Sequence, residues 1–222
     1  MGLHRAGFAE IVGIDIEDQP DYPFEFIKAD ATNPPVKIQD FDLIWASPPC
    51  QLFSSATSPR THGNRARHGR EYPNLIPVTH NLLKASGRPY IIENVPQAPL
   101  KKSLILCGKM FGLKVYRHRI FEISGFRCEQ PRHPPHIWSS MRGEIFCICG
   151  DTPISPGFGI RKVARREHRK KWKKAIFKED ITTTWQKAMD VPHIKDRLMI
   201  SEAIPPAYSE YIGRAAMAAL AG

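Results

Sequence analysis

A strand-like run, a helix-like run and a second strand-like run follow one another between residues 41 and 95, and this succession constrains the fold most. FDLIWA (41–46) is short and apolar and is stopped by Ser-Pro-Pro. NLIPVTHNLLKAS (74–86) sets Leu75, Val78, Leu82 and Leu83 at helical spacing, and PYIIENV (89–95) is entered from a Gly-Arg-Pro turn. Two strands joined through a helix run parallel, because the crossover brings the chain back to its starting edge. EIVGIDI (10–16) and EFIKA (25–29) are further strand candidates, as are SLILC (103–107) and HRIFEI (118–123). Near-continuous apolar runs indicate a sheet covered on both faces. The expected fold class is α/β, with a doubly wound, mostly parallel sheet. PPAYSEYIGRAAMAAL is expected to be a helix carrying Tyr208, Ile212, Ala215 and Ala219 on one stripe. Region 124–160, rich in Pro, Gly, Cys and His without a clear period, has the character of an inserted lobe.

At 222 residues the chain makes one domain, or one with a small appendage. Hydrophobic residues at 42% exclude disorder over the whole chain, and no run of about 18 apolar residues offers a transmembrane helix. The N-terminus lacks the apolar run of a secretory leader, and five cysteines are an odd number, so a reducing cytoplasm is expected. Charge is the outlying quantity, at +10. Residues 124–184 hold 13 Lys and Arg against six acids, a net +7. A second cluster, Arg60, Arg65, Arg67 and Arg70 with His62 and His68, lies in a loop-like segment. RKVARREHRKKWKK alone reads equally as a solvated helix face. Two separate clusters, one interleaved with Trp172 and Trp185, favour phosphate contacts and hence a nucleic acid, with affinity but not sequence choice set by charge.

Ligands of open parallel sheets sit outside the carboxyl ends of the strands, and those ends present Asp15, Asp30, Cys50 and Glu93. Asp15 suits the hydroxyls of a ribose and Asp30 an amino group, although each alone is more often a turn or cap residue. Cys50 follows two prolines, which stiffen the backbone and set the thiol at the lip of the crevice. The neighbouring basic loop is expected to lower its pKa. A thiolate beside a carboxyl suits addition to an electron-poor ring, the sulfur attacking carbon while the carboxyl engages a ring nitrogen. Cys128, His133, His136, Cys147 and Cys149 have a donor count that suits zinc. Their spacing, C-x4-H-x2-H-x10-C-x-C, matches no common finger, so no metal is expected.

SPPCQLFS resembles the Pro-Cys motif of C5-cytosine-specific DNA methyltransferases, and IIENV resembles their Glu-Asn-Val motif. RHRIFE is similar to a third motif, with Arg117 and Arg119 at its two arginine positions and Val115 where Gln is usual. EAIPPAYSEYIG is similar to the closing motif, with Glu202 in place of Asn, and GLHRAGF to the end of the first motif. The likeness covers residues 1–123 and about 185–217. It implies a Rossmann-like, S-adenosylmethionine-dependent fold in three segments. Residues 1–123 would be the catalytic domain, 124–184 a small basic target-recognition lobe, and 185–222 a return to the catalytic domain. It further implies that Cys50 attacks C6 of a flipped cytosine, Glu93 binds N3 and the amino group, and Arg119, with Arg117, serves O2. Asp15, Ile16, Asp30, Ala31, Pro48, Glu202 and Ala203 would hold S-adenosyl-L-methionine. Gln51, Ser54, Arg60, Arg65, Arg67, Arg161, Lys162, Arg165, Arg166 and Lys170 would contact double-stranded DNA. The family resemblance suggests a cytoplasmic monomer in a bacterial or phage-infected cell, with a restriction endonuclease as a possible partner of the same system. In the family a strand and a Phe-x-Gly-x-Gly-Gly loop precede the matched region. Because this chain starts at Met1-Gly2-Leu3, the expectation is an N-terminally incomplete catalytic domain, short of the floor under the methionine part of the cofactor. The alternatives are an inactive DNA-binding relative and a thiol enzyme of free pyrimidine nucleotides, against which the +7 lobe argues.

Overall fold

β1 (Val12–Asp15) and β2 (Glu25–Lys28) pair in parallel, Val12 opposite Glu25 and Asp15 opposite Lys28, and form a two-stranded sheet. The computed structural model describes residues 1–54, 72–101, 103–136, 148 and 180–222. A second sheet has the order β3-β4-β6-β5. Here β3 (Ile44–Ala46) runs parallel to β4 (Tyr90–Asn94), while β6 (Arg119–Ser124) runs antiparallel to both β4 and β5 (Leu104–Leu106). Three strands of this sheet therefore share a direction and β6 opposes them. The class is mixed α/β, as the sequence leads one to expect, and the strand that departs from a parallel sheet is β6. The reason is local: residues 107–118 hold only a short 3-10 turn, Gly108–Phe111, and no helix able to span a crossover.

Between β3 and β4 stands α2 (Ile76–Ser86), which starts with Pro77 in its first turn and stops at Gly87. Gly87 takes φ 67°, a left-handed value that glycine adopts without a Cβ clash, and its N–H returns to the Lys84 carbonyl. At the N-terminus, α1 (Gly2–Ala6) lies against α5 (Pro206–Leu220). A Cβ at Gly213 would come within 2.8 Å of the Ala6 Cβ and 3.1 Å of Leu3 Cδ2, so the helices approach where a side chain is missing. On α5 the buried stripe is Tyr208, Ile212 and Ala216, a strict i, i+4, i+8 row, with Ala215 half-buried and Ala219 exposed.

The β3-β4-β6 register sorts the side chains into two faces. Ile44, Ala46, Tyr90, Ile92 and Ile120 share one face and pack with Ile76 and Leu83 of α2. The opposite face carries Trp45 edge-on to Phe121 at 5.7 Å, and Phe121 edge-on to Tyr208 of α5 at 6.3 Å. Phe121 and Tyr208 are fully buried, each contributing roughly 1.5–3 kcal/mol of apolar transfer. β4 is buried at all five positions, whereas β1 to β3 keep partial exposure along their length. At the outer edge the Gln130 amide takes the place of a strand: its Oε1 accepts from the Ile105 N–H at 2.9 Å and its Nε2 donates to the Ile105 carbonyl at 2.8 Å.

The chain divides into two compact units. The first, with both sheets, comprises Met1–Leu106, His118–Pro131 and Tyr208–Gly222; the second comprises Cys107–Arg117 and Arg132–Ala207. The second unit holds α3 (Ile181–Met189) and α4 (Arg197–Glu202) around Val115, Ile148, Trp185, Met189 and Ile200. Asp180 caps α3, its Oδ2 accepting from the Thr182 and Thr183 N–H groups at 2.9 and 3.3 Å, and those bonds hold its carboxyl below the usual range. Trp185 is core, with the Arg197 guanidinium 5.6 Å over its ring, so it is not the surface aromatic that its place beside the basic run suggested. No helix among the described residues is long and apolar enough to cross a membrane.

Candidate functional site

Prolines end β3. Neither Pro48 nor Pro49 has an N–H for a ladder, so pairing with β4 stops at Ala46 and the chain leaves the sheet. The buried Pro48 carbonyl finds a side-chain partner instead: Nδ2 of Asn94, the last residue of β4, donates to it at 2.9 Å. Asn94 Oδ1 accepts from the Val95 N–H at 2.9 Å, so this amide, 1% exposed, is engaged at both ends. Beyond Pro49 the Cys50 carbonyl accepts from the N–H groups of Phe53 (3.0 Å) and Ser54 (2.9 Å), closing a turn that carries Gln51. Cys50, Gln51 and Ser54 are half-buried, and the Cys50 side chain packs beside Ile44, Ala46 and Phe53 against the α2-facing core. The thiol is thus partly covered at the strand end, where the sequence alone pictured it at an open lip.

Glu93 precedes Asn94 and points to the other face, opposite Phe121. Arg119 is two residues from Phe121 along β6, on the same face and diagonal to Glu93. The register makes them partners: Arg119 Nε lies 2.9 Å from Glu93 Oε1, with side-chain exposures of 14% and 9%. A charge-assisted pair this covered holds both side chains in one orientation. Glu93 and Arg119 thus meet at the carboxyl end of β4 on the Phe121 face, while Cys50 follows the end of the neighbouring β3 and packs toward α2.

Asp15 and Asp30 stand at the carboxyl ends of β1 and β2 in the other sheet, and both close local turns. Asp15 Oδ1 accepts from the Glu17 N–H at 2.9 Å. Asp30 Oδ1 accepts from the Thr32 hydroxyl at 2.7 Å and its N–H at 2.8 Å, bonds that hold the carboxyl below its ordinary range. Each keeps Oδ2 outside those turn bonds. Ile16, next to Asp15, is 66% exposed, and Ala31 is exposed as well.

The remaining residues pointed out by the sequence lie elsewhere. Arg117 belongs to the second unit, where its backbone takes φ 37° and its guanidinium donates to the carbonyls of Ile148 (3.2 Å) and Ser201 (2.6 Å). Glu202 is exposed at the end of α4, and Ala203 packs into the core of that unit. Arg60, Arg65, Arg67, Arg161, Lys162, Arg165, Arg166 and Lys170 lie outside the described residues, as do Cys147 and Cys149. Asn94 is the positioning residue that sequence reasoning passed over. Its signal was present, since a Pro-Pro pair leaves a strand-end carbonyl in need of a donor.

The protein is mixed α/β, with a covered carboxylate–guanidinium pair at the carboxyl end of β4 and a half-buried cysteine beyond the end of β3. No protein-family model matches the chain, and no curated protein matches it by sequence.

Proposed function

We propose that the protein is a DNA cytosine C5-methyltransferase, acting on a flipped cytosine in duplex DNA through a Cys50–C6 adduct. The observation that carries this reading is the Asn94 clip. It ties the Pro-Pro-Cys turn to the strand end bearing Glu93, whose carboxylate meets Arg119 across the ladder. In this reading the Cys50 thiolate forms a bond to C6, and the C5–C6 π electrons move toward the ring nitrogen N3 and O2. Glu93 engages N3 and the amino group, and Arg119 engages O2, where negative charge develops. Once C5 has been substituted, loss of its proton and cleavage of the S–C6 bond restore the aromatic ring and the thiolate. The base leaves the stack because C6 is reached by a nucleophile only from above the ring.

S-adenosyl-L-methionine, when bound, supplies the methyl group that C5 receives. The residues at the ends of β1 and β2 fit its nucleoside half. Asp15 and Asp30 each have a carboxylate oxygen beyond the turn bond to accept from hydroxyl and amino groups, and the exposed Ile16 offers an apolar surface for a flat base. The basic residues at 161–174 supply a phosphate-binding stretch by charge. A Rossmann-like, doubly wound organisation is the finer fold reading and agrees with helices packed on both faces of the second sheet.

The test is covalent trapping. Duplex DNA containing 5-fluorocytosine, with S-adenosyl-L-methionine present, should give a denaturation-resistant complex with the wild type and none with Cys50→Ala. The variant should keep its fold by circular dichroism and its duplex affinity. Trapping that survives the substitution removes Cys50 from the reaction. Duplex binding without trapping or transfer in the wild type makes the protein an inactive DNA-binding relative.

A further inference from the structure

Cys107 is a fully buried thiol in the second unit, and it does not stand alone. Its sulfur lies 3.3 Å from Nε2 of His136, and Cys107, His133 and His136 bring their ligand atoms within 4.8 Å of one another. Cysteine and histidine are the two side chains that divalent zinc prefers, and thiolate with imidazole is its common mixed set. We propose that Cys107, His133 and His136 form a zinc site.

The surroundings of the three donors are those that such a site needs. The Lys109 backbone N–H is directed at the Cys107 sulfur, from the 3-10 turn Gly108–Phe111 that follows it. Hydrogen bonds of this kind orient a sulfur ligand and spread its charge. The His133 Nδ1 lies 2.8 Å from the Pro134 carbonyl; with Nδ1 donating there, Nε2 keeps its lone pair. Tyr116 stacks on the His136 ring at 3.9 Å and 26°, which fixes the plane of that imidazole. The histidines themselves sit in His133-Pro134-Pro135-His136, where two prolines remove most of the backbone freedom that binding would otherwise have to remove. Zinc takes four donors, and these side chains supply three of them.

This set differs from the one that the cysteine and histidine spacing offered. His133 and His136 remain, but Cys107 replaces Cys128. Cys128 belongs to the first unit, where burial, reinforced by Glu129, pushes its thiol up to about 11. Within the second unit the site would join the segment Cys107–Arg117 to the segment that begins at Arg132. Its role is structural, and it is independent of the methyl-transfer reading.

Metal content and cobalt spectroscopy on the intact protein test it. After purification without chelator, elemental analysis should find about one zinc per chain. Replacing zinc by cobalt should produce a thiolate-to-metal charge-transfer band in the near ultraviolet and the intense red bands of tetrahedral cobalt. Cys107→Ser should remove the charge-transfer band, and His136→Ala should weaken cobalt binding at least about 10-fold. His133→Ala changes an exposed side chain, so it keeps the test open should Cys107→Ser fail to fold. Chelation should lower the melting temperature of the wild type and leave that of His133→Ala unmoved. A folded wild type that takes up neither metal, or a charge-transfer band that persists in Cys107→Ser, overturns the proposal.

Discussion

The two sheets of the first unit each place acidic side chains at the carboxyl ends of parallel strands, and they use them in opposite ways. At the end of β4, Glu93 is covered and reaches across the ladder to Arg119 at 2.9 Å. At the ends of β1 and β2, Asp15 and Asp30 reach only two residues along their own chain, to Glu17 and Thr32. The first pair owes its geometry to β-sheet register and would vanish with a slip of one residue. The second two owe theirs to turn chemistry, which any exposed Asp adopts after a strand. Acids at strand ends are therefore not equivalent: the one committed to a distant partner is preorganised, and those committed to a local turn keep one oxygen outside the turn bond.

That contrast breaks first at Glu93. Glu93→Gln keeps shape but loses the charge that faces Arg119 and the acid–base capacity at N3. Methyl transfer should fall by about 10²–10⁴, with duplex affinity nearly unchanged. Full activity in this variant would reduce the Glu93–Arg119 pair to a structural strut.

Asn94 sharpens the contrast from the positioning side. Asn94→Ala leaves the buried Pro48 carbonyl and Val95 N–H without partners, which should cost about 1–3 kcal/mol. At about 2–4 °C per kcal/mol for a chain of this size, a thermal melt resolves the loss. If the clip holds the Cys50 turn against β4, the variant should also lose trapping rate on 5-fluorocytosine DNA. Asn94→Asp, which keeps an acceptor but removes the donor to Pro48, should recover neither. A melt and a trapping rate equal to wild type in Asn94→Ala would mean the Pro-Pro-Cys turn holds itself.

The smallest effect belongs to Asp30. Bonds from Thr32 hold its carboxyl below the usual range, so Asp30 contributes stability above the ordinary Asp value and loses it as pH falls through its folded value. Asp30→Ala should therefore be slightly less stable than wild type at neutral pH, and the difference should shrink at about pH 3. Urea unfolding of both proteins at the two pH values reads it. A difference that grows on acidification would show that the turn bond is not what sets this carboxyl.

How far these features were legible depended on the range of the interaction behind each. The six strands and the helix over 76–86 follow from apolar runs and their punctuation by Gly and Pro, which act within a few residues. Cys50 and Glu93 stood out because each ends such a run. What stayed hidden was direction and partnership. HRIFEI reads as a strand, but nothing in it says that it enters antiparallel between β4 and β5. Arg117 and Arg119 look alike in the sequence, yet one donates to carbonyls at residues 148 and 201 in the second unit and the other meets Glu93 in the first.

The amino-acid order alone therefore determined which segments become strands and helices, where turns fall, and which reactive side chains lie at strand ends, because propensity, periodicity and proline stereochemistry are local. Tertiary structure decided the rest: that Glu93 meets Arg119, that Asn94 holds Pro48, that Trp185 is core, and that Cys107 joins His133 and His136 instead of Cys128. The pairings among these join residues 26 to 46 positions apart, and local pattern carries no record of such partners.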